Sequence, residues 1–583
     1  MSNGVARLAL VLHGGVPGVR EQRLAQILSF LGVPWAWCGL ADLVNPQTAL
    51  TSRSEHAVLG SVDTVAAATR IPGAAAALRH AAAVYAYASE DRRVCEEALE
   101  VLLDRRLWRV MPPPSHAVAL DVSNEVPEIT GPMSGLEVTV ALSGLDSLLS
   151  QAGETRPHGN AIISANGCPL FFAIEAQGIP LYFSASAAIV DLDEPAGRNY
   201  YDVKDHFASA VPLVMFLTCT FATVMWRPSE LGACLIIDDP LLKSRYGFCD
   251  FPRLRDLMRE HRFTTNIAFI PWNSRRTTVS GSELFRREPE LFSVSIHGCD
   301  HTAAEFAETS GPLLDSKAAL AQTRMRRHQA RTGLPHDSIM VFPQGVFSSA
   351  CPAALKRHEF IAAVNTEVNP VDAPGPLTTI RDVWDVAITR YGTFPVFTRR
   401  YPFHGLENFA FDMLLGKPCL IVTHHQFFKD DCVELLDFIG KLRDRRSSLT
   451  WRPLGEVIRR SCRRRPSTGN ADEEIEMYGS ELVADNPASL PVEVTVRKRE
   501  ENAAMISGVS SREGSIPWSL DGGQLVFGGR IQPDEQAFFA VTYKPAPKSA
   551  TRRSVGLEAS VAARRLLSEF RDEYLQKFAR TSA

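Results

Sequence analysis

The sequence predicts an α/β protein of several domains, on three observations. Short, wholly apolar runs alternate with amphipathic stretches of helical length, the pattern of parallel strands covered by helices on both faces. At 583 residues the chain is too long for one core and divides into three or four domains of about 150 residues each. An apolar fraction of 45% and a charged fraction of 22% are those of an ordinary folded domain rather than a disordered or fibrous chain.

The elements follow in order. Residues 1–128 read as an N-terminal α/β domain of Rossmann- or flavodoxin-like type. In it, RLALVLHG, VPWAWCG and AAAVYAYA are strands, and EQRLAQILSFLG and EDRRVCEEALEVLL are helices. The turn HGGVPG lacks the G-x-G-x-x-G spacing and carries Pro17, so no dinucleotide site is expected there. Residues 129–204 shift to strand character, with Gly, Pro and Asn punctuating LEVTVAL, NAIISANG, PLFFAIEA and IPLYFSAS, and read as a small β-rich segment. From 205 to 460 the strand–helix alternation is clearest. VPLVMFLTCTFATVMW, residues 211–226, falls short of the ~20 residues of a spanning helix and reads as a buried core helix, so no transmembrane segment is expected. Residues 461–489 read as a linker, basic then acidic, in which Arg463 to Arg465 are a solvated helix exit. A compact C-terminal β domain is expected over 490–546. An amphipathic helix follows over 547–583, with Leu557, Val561, Leu567, Phe570, Tyr574 and Phe578 on its docking face.

Composition also excludes classes of function. A net charge of -4 gives no electrostatic case for nucleic acid. Eleven cysteines without a C-x-x-C pair offer neither a zinc ribbon nor a disulfide framework, which favours a reducing compartment. The opening MSNGVARLALVLHGG has too short an apolar run for a signal peptide, so a cytoplasmic location is expected. Oligomeric state leaves no mark in the sequence.

The functional signal lies where the strands of the third region end. ACLII ends in Asp238 and Asp239, NIAFI in Pro271, Trp272 and Asn273, and FSVSI in His297, with His301 four residues on. SIMVF ends in Pro343, Gln344 and Gly345, IAAV in Asn365 and Thr366, and PCLIVT in His424 and His425. Parallel strands share one carboxyl-terminal rim, and a rim that gathers two Asp and four His has metal-binding chemistry within reach. Any one ending is weak, because Asp after a strand is commonly a helix N-cap, as Asp250 is expected to be. HGCDH lacks the glutamate of H-E-x-x-H, and Gly298 disfavours a continuous helix, which argues against a zinc protease. Cys299 reads as a buried small hydrophobe, and Asp300 as either solvated or a partner that orients an imidazole.

DDP, HGCDH, VFPQG and IVTHH, in this order, resemble the motifs of polysaccharide deacetylases, the family 4 carbohydrate esterases with a NodB homology domain. The resemblance covers roughly residues 230 to 457 and implies a distorted (β/α)7 deacetylase barrel. It implies a metal-dependent hydrolase that removes an N-acetyl group from an amino sugar or polysaccharide precursor. Alternatives are a deacylase of a different amide, formyl or non-sugar, and a degenerate barrel serving as a binding or scaffold protein. Carried over by position, Asp239, His297 and His301 are the metal ligands and Asp238 the general base. His424 is the general acid, with His425 as the alternative. The cofactor implied is a divalent ion, zinc first, with cobalt, nickel or manganese open. The third motif departs from the family: Val341 and Phe342 stand where an arginine is usual, and Gln344 replaces an aromatic. Arg390, at the end of WDVAITR, is the candidate to hold the catalytic aspartate instead. Trp272, Asn273, Pro343 and Gln344 are the candidate sugar-binding positions.

Overall fold

The computed structural model describes the chain apart from residues 1–6, 45–55, 104–107, 152–159, 198–199, 376, 430–431, 447, 468, 470–471, 546–554 and 571–583. It comprises two units, Met1–Glu194 with Asp202–Arg227, and Pro195–Tyr201 with Pro228–Ala583.

The first unit is built on a nine-stranded sheet. Its first five strands, Trp35–Gly39, Leu8–His13, His56–Ser61, Ala83–Tyr87 and Ile179–Ser184, are parallel. Cys168–Ala176, Asn160–Ala165, Val118–Val122 and Glu137–Val140 extend the sheet antiparallel. Residues 1–128 and 129–204 therefore share one sheet rather than forming two bodies. The physical reason is that AVYAY is buried at all five positions and needs a neighbour on each side, which Ile179–Ser184 supplies through Leu181 beside Val84. The apolar helix Phe207–Thr220 belongs to this unit too, with Phe216 against Tyr85 and Tyr182 at ring distances of 5.0 and 5.2 Å. The boundary expected at residue 205 accordingly moves to 228. Among the described residues, no helix is long and apolar enough to cross a membrane.

The second unit holds the site. Its parallel strands are numbered here β1 (Leu231–Asp238), β2 (Thr265–Phe269), β3 (Phe292–His297), β4 (Ile339–Val341), β5 (Ala362–Asn365), β6 (Val396–Thr398) and β7 (Cys419–Thr423). They pair in the order β6-β5-β4-β3-β2-β1-β7, and Leu449–Trp451 adds to the start of β1. Just past β6, Arg400 makes an isolated parallel bridge to Ile421 of β7, which stands at the other end of that order. Two backbone hydrogen bonds of 2.9 Å make it, Arg400 N to Leu420 O and Val422 N to Arg400 O.

Side-chain alternation along these strands explains where polarity appears. Cys234 and Ile236 of β1 join Val341, Val364, Phe397 and Leu420 in one buried cluster, closed by Leu454, Val457 and Ile458 of the helix Leu454–Arg460. Two residues further along the same rows stand Asp238 after Ile236, Arg399 after Phe397, and His424 after Leu420 and Val422. The apolar floor and the polar rim are thus two levels of the same inward-facing rows.

Residues 461–489, expected as a linker, carry strands instead. Cys462–Pro466 pairs antiparallel with Glu473–Met477, and Arg464 and Arg465 meet Glu473 and Glu474 across it. Blocks of opposite charge that suggest solvent in one dimension neutralise each other across a hairpin. These two strands belong to a six-stranded sheet, and Glu481–Asp485 to a four-stranded one, around Ile475, Met477, Leu482, Val496, Phe527 and Phe539. Of the C-terminal segment, Val555–Phe570 is helix, whereas Tyr574, Phe578 and the side chain of Leu557 lie outside the described residues. Val561 is buried as expected; Leu567 and Phe570 are exposed, and Arg565 is buried in their place.

One buried group reports on stability. His328, in the helix Gly311–Thr332, is 1% exposed, packs on the Phe269 ring at 5.2 Å, and has no hydrogen-bond partner for either ring nitrogen. Burial, with Arg331 and His336 nearby, pushes its pKa down from 6.5 to about 4. The unfolded chain then takes up a proton that the folded chain refuses, so this contribution is intact above about pH 6.5 and is lost as pH falls toward 4, by on the order of 3 kcal/mol. His328→Leu is expected to flatten that acid limb; unfolding midpoints between pH 7.5 and 4.5 for both proteins measure it.

Candidate metal-binding active site

Strand β1 delivers two consecutive carboxylates to the rim. Asp238 follows the inward row and is 4% exposed. Asp239 would face away by ordinary pleating, but its φ of 81° turns the chain, so both carboxylates line one cavity of about 350 Å³. Strand β3 ends in His297, 1% exposed, and the loop Gly298–His301 returns His301 to the same place. Asp239 Oδ1 lies 3.4 Å from His297 Nε2 and 3.0 Å from His301 Nε2.

The donor chemistry of this trio fits a cation. His297 Nδ1 lies 3.0 Å from the Val341 carbonyl oxygen, so that nitrogen carries the proton and Nε2 presents a lone pair. Asp239 Oδ1 is buried and finds no hydrogen-bond donor. One carboxylate and two imidazoles, their ligand atoms all within 4.8 Å of one another, match the ligand set of an open divalent site. The local field favours positive charge. Burial works against the charged form of Asp239, yet His301 and His297 hold its pKa well below the usual carboxylate value. Burial likewise disfavours the imidazolium at His297, but Asp238 and Asp239 outweigh it and raise its pKa.

The loop carrying His301 is held by a residue that sequence reasoning missed. The Glu305 carboxylate, 2% exposed, accepts backbone N–H bonds from Cys299, Asp300 and His301 at 3.1, 2.8 and 3.0 Å. Cys299, Asp300 and Glu305 also cluster closely enough to suggest a second metal site. Glu305 is committed to these amides, however, and Arg324 pairs with Asp300 at 2.8 Å, so the cluster is scaffold. Asp300, 4% exposed, is thus buried and paired with Arg324 rather than solvated. Gly298 has φ 68°, and a Cβ there would meet Pro343 Cγ at 2.4 Å and Glu305 Oε2 at 2.7 Å.

Asp238 is gripped by Arg399, not Arg390. The two Nη atoms of Arg399 donate to the two carboxylate oxygens at 2.7 Å, and both side chains are buried. Burial raises the Asp238 pKa, and Arg399 more than reverses this, so the carboxyl sits below its ordinary value. Arg390 lies instead in a turn, half-exposed, and pairs with Asp382 at 3.2 Å. WDVAITR is not a strand of this parallel sheet: Trp384 ends the helix Ile380–Trp384, and Ile388 makes only an isolated bridge. The sequence signal for Arg399 was FTRRY, directly after the short β6.

His424 lines the same cavity, its Nε2 3.1 Å from Tyr401 Oη. His425 opens the turn His425–Phe428, and its side chain lies outside the described residues. Gln344 lines the cavity as well and accepts from Ala304 N at 3.1 Å. Trp272, Asn273 and Pro343 are not among its lining residues. Asn273 is buried within its own turn and Pro343 packs on Gly298, so strand ends on the rim need not face the cavity. Asp250 caps the helix Phe251–His261 through Arg253 N.

No family model and no curated protein matches the chain. Solved structures similar to it include the CE4 domain of a multidomain xylanase from the hindgut metagenome of Trinervitermes trinervoides, 11% identical over 39% of this chain and 90% of that one, with TM-score 0.25. A family 4 acetyl xylan esterase from Clostridium thermocellum, in complex with a cobalt ion, is 14% identical over 39% and 90%, with TM-score 0.24. A family 4 carbohydrate esterase from Streptomyces lividans, in complex with acetate, is 12% identical over 38% and 91%, with TM-score 0.22. These likenesses are distant and confined to part of the chain.

Gly298→Ala is expected to displace the loop against Pro343. Metal affinity measured by calorimetry should fall at least tenfold, while Gly311→Ala, with open space around its Cα, leaves it unchanged.

Proposed function

We propose that the chain is a metal-dependent hydrolase that removes an N-acetyl group from an amino sugar or a polysaccharide precursor, on a closed seven-strand barrel. The observation that carries this reading is the pairing of one donor trio, Asp239, His297 and His301, with an adjacent carboxylate that is kept out of that trio. Arg399 holds Asp238 ionised and fixed beside the site rather than in it.

Asp239, His297 and His301 would hold the cation, which supplies polarisation of an acyl carbonyl and acidification of water. Asp238 takes the proton of the attacking water. Its two oxygens each accept one bond from Arg399 and keep a second lone pair for that proton. His424 gives a proton to the departing nitrogen, without which the tetrahedral adduct reverts to amide. Tyr401, at 3.1 Å, fixes the imidazole that does so. Zinc is the first candidate, with cobalt, nickel and manganese as alternatives, and a cytoplasmic location would make the substrate a biosynthetic intermediate.

Metal analysis of the purified protein, alongside acetate release from N-acetylated sugars and from acetylated xylan, tests this. Wild type should carry about one equivalent of metal per chain and release acetate; Asp239→Ala and His297→Ala should lose both. Asp238→Asn should keep the metal and lose turnover by about 10²-fold or more. A metal-free wild type, or full turnover in Asp238→Asn, overturns the reading. Arg399→Ala is expected to lose kcat to a similar degree, because it leaves a buried carboxylate unpaired, whereas Arg390→Ala should stay within about twofold of wild type.

A further inference from the structure

The C-terminal helix Val555–Phe570 is part of the candidate site, although nothing in the barrel motifs requires it. Arg564 and Ser568 line the cavity that contains Asp239, His297 and His301. The helix is fastened at that mouth by Glu569, which pairs with Lys243 at 3.0 Å and with Arg276. Lys243 lies in the loop that follows β1, and Arg276 ends the turn that follows β2. Val561 and Arg565 are 1% and 5% exposed.

The orientation of this helix runs against the hydrophobic effect. Leu566, Leu567 and Phe570 are 55%, 69% and 52% exposed, while Arg565, Ser568 and Glu569 are turned inward. Leaving three large apolar side chains in water costs several kcal/mol relative to burying them. Polar contacts, with Val561 as the buried apolar anchor, therefore set the pose, and the residue that this pose delivers to the cavity is Arg564.

Arg564 is exposed, and no ion pair or hydrogen bond engages it among the described residues. The other guanidinium in the cavity, Arg399, has both Nη atoms committed to Asp238. Glu367 is the remaining carboxylate of the lining, and burial raises its pKa. With a divalent cation on the trio, the two positive charges of the ion and that of Arg564 exceed the charges of Asp239 and Glu367, so the cavity keeps a surplus of positive charge. A guanidinium offers planar, bidentate donation suited to phosphate or carboxylate.

Resting on the deacetylase reading above, we propose that Arg564 is a substrate-binding residue that selects an amino sugar bearing an oxyanion, a phosphate or a carboxylate, over its neutral counterpart. Glu569 is the positioning residue that holds the helix so that Arg564 reaches the substrate.

The test compares N-acetylglucosamine, its 1-phosphate and the corresponding uronic acid, by acetate release and by calorimetric binding of the same three sugars. Wild type should favour at least one anionic sugar over the neutral one by about tenfold in KM and in Kd, and the favoured sugar identifies the oxyanion. Arg564→Ala should erase that preference with kcat within about twofold, Arg564→Lys should retain part of it, and Glu569→Ala should reproduce the loss. The neutral sugar should respond to none of these changes. No preference in wild type, or a preference that survives Arg564→Ala, overturns the inference. If no sugar releases acetate but calorimetry still shows an Arg564-dependent preference, the hydrolase reading fails and the assignment of Arg564 as an oxyanion-binding residue stands.

Discussion

The ion pair between Asp238 and Arg399 is the constraint on which the candidate site depends. It spans 161 residues of sequence and joins the end of β1 to the residue just beyond β6 through two 2.7 Å hydrogen bonds. Both partners are buried, so each alone would carry a large desolvation cost, and the fold holds only if both arrive together. The bidentate geometry uses both carboxylate oxygens and leaves no rotational freedom about the carboxyl group. It also decides which of two neighbouring aspartates is free for the imidazoles.

Around this pair the support is arranged in successive contacts rather than by packing alone. The Val341 carbonyl of β4 fixes the ring of His297 on β3. Glu305 gathers three amides of the loop that brings His301 back. Deeper in β3, Ser295 accepts a 2.7 Å bond from Asn266 of β2, so the inward row Ser293, Ser295, His297 is satisfied below the site as well. The floor of apolar residues from Cys234 to Phe397 excludes water from beneath. Charged groups on the rim therefore act over a dry base, where their fields are strong.

Much of this was legible in the sequence, and the limit is physical. Strand ends are readable because apolar runs stop abruptly: LIIDD, VSIHGCDH and LIVTHH each announce a rim residue, and these residues lie on one cavity. The partners of those residues are not readable in the same way. Arg399 follows a strand of only three residues, and a doublet of arginines looks like any exposed turn. WDVAITR has the composition of a strand and so points to Arg390, but a helix consumes its first residue. Glu305 acts through backbone amides, which carry no side-chain signature. Charge blocks mislead at Arg464 and Arg465, because pairing across strands is invisible in one dimension, and at Arg463, which is buried against Asp385 far along the chain. The C-terminal helix was recognised as amphipathic, yet its inward face could not be inferred, since hydrophobicity alone points the other way.

The left-handed backbone at Asp239 bears on how this protein can vary. Two successive side chains on a pleated strand normally look in opposite directions, and here a φ of 81° makes them converge. Aspartate is among the few residues with a Cβ that settle in that conformation readily. A single deleted residue within Leu231–Asp238 would bring Asp239 to Arg399, and a single inserted one would bring Ile237 there. The length of that strand is therefore set by chemistry, and lineages of this chain should accumulate length changes in its surface turns while this segment stays invariant in count.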